Sequence, residues 1–345
     1  MLSIVNGLLE KLSKLRRNQT VVTTTVIILV LILIQLLHRP ADFGPGSPGP
    51  TILFTVENGE AGTSIALNLQ KDLVVKSSSS MIAVMNSSKA SLGIAPGVHK
   101  ISTHIPNQEA ISQLLDQKRI ANVIAVIPGD TSSDVLKKLH QDKSLVQQDL
   151  LSDLQPVLKS ANNSLEGQLF PSQYSFAPGT TTHTALVTMI KQFQSSIKST
   201  NLLVGYNIFS GYDVLKIASL IQIEADPIDY RKAARVIYNR LKIGMPLQLN
   251  STVQYAAHLR GQISLSRNAT KIDSPFNTYL HTGLPPTPIS NPGLMAIKGA
   301  MNPEPGDWLY FITVRPHDTR FTKSFTEFEV WVELYNNNLA NGAFK

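Results

Sequence analysis

One glutamate near the middle of the chain, Glu224, occupies a position suited to acid catalysis. It follows an apolar stripe of Val214, Ile217 and Ile221 at helical spacing, and residues three or four positions apart lie on the same face of a helix. This face is expected to pack inward, and burial disfavours the charged form of a carboxyl and raises its pKa. A carboxyl with a raised pKa can donate a proton near neutral pH, so the pattern predicts a general acid.

The same carboxyl has an alternative, structural interpretation, in which Arg231 or Arg235 on the following helix neutralises its charge. Perturbed carboxyls occur both in such ion pairs and at catalytic sites. The residues directly after Glu224 favour catalysis, because Asp226-Pro227 is typical of a helix N-cap followed by the first helical residue. The chain is therefore expected to turn at once after Glu224, so that the carboxyl lies at a junction where a cleft can form.

The elements around this glutamate follow from hydrophobic periodicity. The next helix is predicted to run from Pro227 to Ile243, with Gly244 as its stop. Much earlier in the chain, Thr51 to Val56 is predicted to be a strand and Thr63 to Leu73 an amphipathic helix. The stretch from Val123 to Leu139 repeats this order of strand, glycine-containing turn and helix. These patterns indicate an α+β fold.

The stretch VIAVIPGDTSSDVLKKL also resembles the opening of a LysM carbohydrate-binding module, since a strand, Gly129-Asp130-Thr131 and a leucine-bearing helix follow in order. The alternative is an ordinary strand-turn-helix unit in which Thr131 or Asp130 caps the helix. We expect residues 51–140 to form a small LysM-like α/β subdomain and residues 141–345 to form a larger mixed α+β catalytic domain.

The N-terminal region is predicted to anchor the chain in a membrane. The run from Val21 to Leu37 is uncharged and long enough to cross a bilayer core with help from its flanks. Basic residues precede it and are scarce after it, which predicts a cytoplasmic segment over 1–20, a transmembrane helix over 21–38 and extracytoplasmic domains. A cleaved signal peptide is the alternative, but no small-x-small cleavage site follows before Pro40. Residues 39–50 are dense in proline and glycine and predict a linker.

Composition excludes several classes of function. The 345 residues carry a formal net charge of +7, which suits an anionic surface, but no recognition helix or stacking motif indicates a nucleic-acid partner. The chain has no cysteine, which excludes a disulfide framework and thiol-based metal or nucleophile chemistry. We expect no metal and no organic cofactor.

The C-terminal half carries an ordered set of motifs: ASLIQIEA, VIYNRLKIGMPLQ, STVQY, KIDSPFNTYLHTGLPPTPISNPG, AMNPEPGDWLYF and FTKS. Their order and spacing resemble the endolytic murein transglycosylase family (MltG or YceG-like). The resemblance implies an N-terminal anchor, a LysM-like domain and an enzyme that cleaves peptidoglycan strands internally beside the membrane. It also implies a role in ending strand elongation alongside peptidoglycan polymerases and elongation or division proteins, although no motif identifies such a partner.

The resemblance assigns the catalytic role to one residue. The family motif is A-S-x-x-E-x-E, and Ala218, Ser219 and Glu224 match it, while Gln222 stands in place of the first glutamate. In this family the C6 hydroxyl of N-acetylmuramic acid attacks its own anomeric carbon and leaves a 1,6-anhydro end. One carboxyl can therefore serve as the acid and then as the base. The loss of a negative charge at Gln222 lessens the upward shift of the pKa of Glu224, so burial must supply more of it.

Six further residues are predicted to support the site. Gln248 and Asn250 are expected to hydrogen-bond sugar groups, and Asn277 and Tyr279 to line a saccharide groove, with a turn held by Asn277 as the alternative. Asn239 is preferred over Arg240, its neighbour in the motif YNRL, as the residue that orients the carboxylate of Glu224. Gln222 is the other supporting residue.

The sequence leaves two rival functions open. A hydrolase that uses water would need a second carboxylate such as Asp226 or Asp273, and Asp226 is better explained as a helix cap. A catalytically weak, glycan-binding scaffold of the cell-wall synthesis machinery is suggested by Gln222, by Asn250 where the family often has aspartate, and by Phe328 in place of a family histidine.

Overall fold

The protein is described from a computed structural model that covers residues 23–28, 41–57, 59–88, 93–148, 153–158, 163–259 and 269–344. Helices alternate with three small sheets, so the predicted mixed α+β class is confirmed. The chain divides into two compact units, one ending at Ala121 and the other beginning at Asn122.

The first unit is built on an antiparallel sheet with the strand order β1-β2-β3. Its elements in chain order are β1 (Thr51–Val56), α1 (Gly62–Lys71), α2 (Ser78–Ser88), β2 (Gly97–Ser102), α3 (Asn107–Leu115), a 3-10 turn (Gln117–Arg119) and β3 (Ile120–Ala121). The predicted strand and the predicted first helix are thus confirmed. Phe54 of β1 packs with Leu69 of α1 and Ile111 of α3 in the core of this unit. The buried apolar positions therefore recur with the period of a strand in β1 and with the period of a helix in α1 and α3.

The second unit contains the remaining elements and two two-stranded antiparallel sheets, β4 with β5 and β6 with β7. In chain order these elements are β4 (Val123–Val126), α4 (Ser132–Gln141), β5 (Ser172–Ser175), α5 (Thr182–Ile197), α6 (Gly211–Glu224), a 3-10 turn (Pro227–Asp229), α7 (Tyr230–Lys242), α8 (Asn250–Ala256), a 3-10 turn (Ala269–Lys271), α9 (Leu294–Met301), β6 (Tyr310–Arg315), β7 (Asp318–Thr322) and α10 (Phe325–Ala340).

The division between the units falls before β4, whereas the predicted boundary lies at residues 140/141. The physical reason is that β4 pairs with β5, which lies almost fifty residues later. Val135 and Leu139 of α4 also pack into the core formed with α5. The predicted strand-turn-helix of this stretch is confirmed, and Thr131 caps α4 in a capping box with Asp134. Its likeness to a LysM module stays a prediction.

In the part of the chain that the structure describes, no helix has the length and apolar character needed to cross a membrane. Residues 23–28 are helical and exposed, and the other residues of the predicted span 21–38 lie outside the described ranges, as does the predicted cytoplasmic segment 1–20. The predicted anchor therefore stays a prediction. Residues 41–50 of the predicted linker form neither helix nor strand.

Helix α6 is the central helix of the second unit. It begins with a capping box between Ser210 and Asp213, and it packs against α7, α8 and α9. Val214, Ile217 and Ile221 are fully buried, so the predicted apolar stripe is confirmed. The large buried helix face fixes the direction of α6 and hence the place where its last residue emerges.

Candidate active site

Helix α6 ends at Glu224, as the sequence predicts, and Ala225 leaves the helix in extended conformation. Glu224 lines a cavity of about 460 Å³. This volume falls within the range of roughly 300–1,000 Å³ that is usual for ligand sites. The buried stripe of α6 therefore ends in a carboxyl at the wall of a ligand-sized cavity.

The environment of this carboxyl raises its pKa. Burial is the largest cause of the shift in the pKa of Glu224, while hydrogen bonding from Ser251 and the positive charge of Arg240 act in the opposite direction. The backbone N–H of Ser251, in the first turn of α8, donates to Glu224 Oε1 at 3.1 Å. A protonated carboxyl held in this way can act as a general acid.

In the structural interpretation of Glu224, Arg231 or Arg235 neutralises its charge. Both arginines instead form hydrogen bonds with other groups. Arg231 donates from Nε to the carbonyl of Asn302 at 2.8 Å, and Arg235 donates from Nε to the carbonyl of Glu304 at 2.7 Å. Both side chains hold the segment that follows α9. Within the described ranges, neither of them forms an ion pair with Glu224.

Arg240 of α7 supplies a positive charge in the lining of the cavity. It is the neighbour of Asn239, the residue predicted to orient the carboxylate. Arg240 is buried, and its guanidinium donates to the carbonyls of Leu309 and Leu247, each at 2.6 Å, from Nε and Nη1 respectively. Burial lowers the pKa of Arg240, and nearby Tyr310 and Tyr279 partly oppose this effect. The backbone carbonyls therefore fix a positive charge beside the carboxyl.

Three of the predicted binding residues share the cavity with Glu224. Gln248, Asn250 and Tyr279 all line it, and the hydroxyl of Tyr279 donates to Asn250 Oδ1 at 2.6 Å. Burial, followed by the charge of Glu224, raises the pKa of Tyr279. Gln248 has a positive φ of 48°, and its N–H donates to the carbonyl of Thr278 at 3.0 Å. The backbone bond positions the exposed Gln248 side chain at the cavity.

Asn277 is not among the residues that line the cavity, and its contacts favour the alternative, in which its side chain holds a turn. Its side chain is fully buried, and Nδ2 donates to the carbonyls of Thr270 at 3.0 Å and Ile272 at 2.8 Å. Its Oδ1 accepts from the backbone N–H of Tyr279 at 3.0 Å. Asn277 therefore holds a turn that orients Tyr279, and its prediction as a groove-lining residue is corrected, because all its amide groups are engaged in the fold.

The two predicted supporting residues act on the fold around the site. Gln222 accepts from the N–H of Gly293 at 2.9 Å and donates to the hydroxyl of Tyr230 at 2.8 Å. Asn239 donates from Nδ2 to the carbonyls of Gly306 at 3.1 Å and Trp308 at 2.9 Å. Asn239 thus holds the segment leading into β6, and the preference for it over Arg240 as the group that acts on the carboxylate is corrected.

The carboxylates considered for a hydrolase lie outside the cavity. Asp226 makes no side-chain cap bond with the 3-10 turn that follows it, so its predicted capping role is also corrected. Its Oδ2 lies 2.9 Å from Nδ1 of the exposed His317. Asp273 is exposed. Among the described residues that line the cavity, Glu224 is the only carboxylic acid.

The sequence reasoning missed the aromatic lining of the cavity. These side chains come from β6, from α10 and from the residues after α10, and they are Tyr310, Phe311, Phe325, Phe328, Tyr335 and Phe344. The motif AMNPEPGDWLYF contains two of them. The repeated aromatic residues after position 320 are the sequence signal for this lining. They are far from Glu224 in the sequence, and only the folding of the chain brings α10 to the same cavity.

The sequence of the chain matches a known family of proteins. The YceG-like family matches residues 54–333, which is most of the chain, and the chain belongs to this family.

Two relatives share the name endolytic murein transglycosylase. The first, from Bacillus subtilis (strain 168), is 38% identical over 215 residues, covering 62% of this chain and 57% of the relative. The second, from Streptococcus pneumoniae serotype 2 (strain D39 / NCTC 7466), is 37% identical over 221 residues, covering 57% of this chain and 38% of the relative. The aligned region therefore spans little more than half of one relative and less of the other.

A crystal structure of a YceG-like protein from Listeria monocytogenes has the same fold. The TM-score is 0.53 with 23% sequence identity, and the match covers 81% of this chain and 98% of the other. At this level of identity the comparison concerns the fold alone.

Proposed function

We propose that the protein is a lytic transglycosylase that cleaves peptidoglycan strands internally, at the β-1,4 bond between N-acetylmuramic acid and N-acetylglucosamine. The observation that carries this proposal is one carboxyl, Glu224, with a raised pKa at the wall of a ligand-sized cavity. Membership of the YceG-like family and the names of the two relatives support the same reaction.

The proposed reaction uses Glu224 twice. The protonated carboxyl gives its proton to the glycosidic oxygen, and the bond between that oxygen and the anomeric carbon of the muramic residue breaks. The C6 hydroxyl of the same residue bonds to the anomeric carbon and gives its proton to the Glu224 carboxylate. The products are a 1,6-anhydro end and a free hydroxyl on the departing sugar. Because the attack is intramolecular, it has a large effective-concentration advantage.

Arg240 supports the acid step in this proposal. After Glu224 has lost its proton, a negative charge is left at a half-buried position, and the nearby guanidinium stabilises that charge. Its hydrogen bonds to backbone carbonyls hold the guanidinium in place before the reaction begins. Burial therefore favours the protonated carboxyl, while Arg240 favours the release of its proton.

The number of carboxyl groups in the cavity argues against a hydrolase. Glycosidases that use water or a covalent intermediate generally place two carboxylates about the scissile bond. Among the described residues that line the cavity, Glu224 is the only one with a carboxyl group. The carboxylate of Asp226 lies outside the cavity and contacts the ring of His317. A lytic transglycosylase needs no second carboxylate, because the substrate supplies the nucleophile.

The cellular role is part of the proposal. The uncharged run from Val21 to Leu37 and the basic residues before it support a single-pass membrane protein with a cytoplasmic N-terminus and extracytoplasmic domains. An enzyme held there would meet strands as they are made and would end their elongation. Its partners would then be the peptidoglycan polymerases and the elongation or division proteins that work on the same strands.

The test compares the full chain with Glu224→Gln on purified peptidoglycan, with product ends identified by mass spectrometry. Glu224→Gln keeps the shape of the side chain and removes the proton donor. We expect 1,6-anhydro ends from the unaltered chain and none from the variant. Reducing ends would show hydrolysis, and glycan retention without cleavage by either version would show the scaffold. Asp226→Asn is the matched control and should retain cleavage.

A further inference from the structure

The cavity that contains Glu224 has an aromatic wall, by which we mean Tyr310 of β6, Phe325, Phe328 and Tyr335 of α10, and Phe344. The ring centroids of Tyr310 and Phe328 lie 5.2 Å apart with an interplanar angle of 27°. Phe325 lies 5.5 Å from Tyr310. Farther along, the rings of Tyr335 and Phe344 are 5.4 Å apart. The wall therefore consists of a cluster of three rings and a separate pair of rings.

These rings differ from the aromatic residues of the core. No residue of α10 is fully buried, although this helix packs against β6. Phe325 is 54% exposed, so part of its ring surface is free to contact a ligand. By contrast, Phe311 and Phe321 pack against the main hydrophobic core of this unit. The aromatic wall thus keeps apolar ring surface available inside the cavity.

The cavity lining also includes polar side chains, among them Gln248, Asn250 and Tyr279. A pyranose ring has an apolar face of C–H groups and a rim of hydroxyl and amide groups, so it needs both kinds of surface at once. An alkyl chain would need only the apolar surface. Arg240, whose Cζ lies 5.3 Å from the centroid of the Tyr310 ring, also places a hydrogen-bonding cation at the edge of the wall.

We propose that the aromatic wall is a saccharide subsite, in which Phe325 and Phe328 contact the apolar face of one N-acetylhexosamine ring of the glycan. This inference rests on the proposed function and adds to it the residues that hold a sugar next to the Glu224 carboxyl. The wall is formed by residues of β6, of α10 and of the segment after α10. It determines how tightly a strand is held while the acid acts.

The experiment measures glycan binding by the full chain carrying Glu224→Gln, which removes cleavage during the measurement. The probe is a soluble glycan strand from which the stem peptides have been removed. Adding Phe325→Ala and Phe328→Ala together should raise the dissociation constant about ten-fold, which corresponds to a loss of about 1.4 kcal/mol of binding free energy. Phe328→Tyr should retain binding, because it preserves the ring.

Val330→Ala is the matched control. Val330 lies on the same helix and is 59% exposed, but it does not line the cavity. Its substitution should leave the dissociation constant unchanged. If the Phe325/Phe328 variant has lower thermal stability but unchanged glycan affinity, the wall serves the fold alone and the inference is wrong. Binding of palmitate instead of glycan through these rings would also overturn it, because the site would then hold an acyl chain.

A kinetic measurement separates this inference from the proposed function. In the chain with Glu224 intact, Phe325→Ala with Phe328→Ala should raise KM for the soluble strand and change kcat much less. Cleavage that continues with an unchanged KM would overturn the subsite and leave the transglycosylase proposal intact. Absence of cleavage by the unaltered chain, together with no binding by Glu224→Gln, would overturn both.

Discussion

At the scale of single residues, Glu224 illustrates the conflict between catalysis and stability. Its pKa is raised by burial, so the folded state holds this proton more tightly than the unfolded state does. The stabilisation is therefore complete below the pKa of the unfolded chain and is lost as the pH rises through the folded pKa. Stability thus falls by about 1.4 kcal/mol for each whole number by which the folded pKa exceeds the unfolded pKa.

Glu224→Gln should therefore be more stable than the unaltered chain above the folded pKa of Glu224 and of similar stability at acidic pH. The amide keeps the shape and has no charge to bury. The measurement is the thermal unfolding midpoint of both versions across a pH series. Unfolding midpoints that differ by the same amount at every pH would contradict the assignment of a buried, titrating carboxyl.

Arg240 affects the pH at which Glu224 loses its proton. Its positive charge lowers the pKa of Glu224, so Arg240→Gln should raise it and move the alkaline fall in kcat/KM to higher pH. Arg240→Lys retains the charge and should move this limb much less. The pH profile of kcat/KM for the soluble strand reports the free enzyme. A profile that shifts equally in both variants would indicate a structural effect through the carbonyls that Arg240 holds.

At the scale of elements, α6 serves to dock the proline-rich segment that precedes α9. Ser219 Oγ accepts from the N–H of Ile289 at 3.1 Å, and the Ser219 carbonyl accepts from Ser290 Oγ at 3.1 Å. Gln222 continues this contact through Gly293. The matching motif residues thus hold one segment against the helix whose last residue is Glu224.

Gln222→Ala should lower the free energy of unfolding by about 1–2 kcal/mol, because it leaves the Gly293 N–H without its acceptor. Gln222→Glu, which restores the glutamate of the family motif, keeps an acceptor and should cost less. Chemical denaturation of the two variants provides the comparison. Equal losses would mean that the donation from Gln222 to Tyr230, and not the contact with Gly293, stabilises this junction.

Elements with local signals were predictable, and those that depend on distant pairing were not. The end of α7 follows from Gly244, which has a positive φ of 68°, and the start of α4 follows from its capping box. The choice between Asn239 and Arg240 failed because adjacent helix positions point about 100° apart. The contribution of α10 to the cavity depends on its packing against β6 and on the fold that brings both elements beside Glu224. Sequence spacing carries no information about a contact between such distant positions.

At the scale of the whole molecule, the remaining question is where the chain works. The proposed anchor depends on the uncharged run from Val21 to Leu37. The unaltered full chain should sediment with membranes and resist extraction by high salt and alkaline carbonate. Leu29→Asp together with Leu33→Asp should release it, since a charged residue at the centre of a spanning helix costs roughly 2.5–3.5 kcal/mol.

The matched control is Leu67→Asp, which adds a charge at an exposed position of α1 and should leave the chain in the membrane fraction. The released variant should still cleave soluble strands, because Glu224 and its cavity belong to the second unit. It should act less well on strands that are being made at the membrane, because it is no longer concentrated there. An unaltered chain that salt alone extracts would contradict the anchor, and the proposed role in ending strand elongation would lose its physical basis.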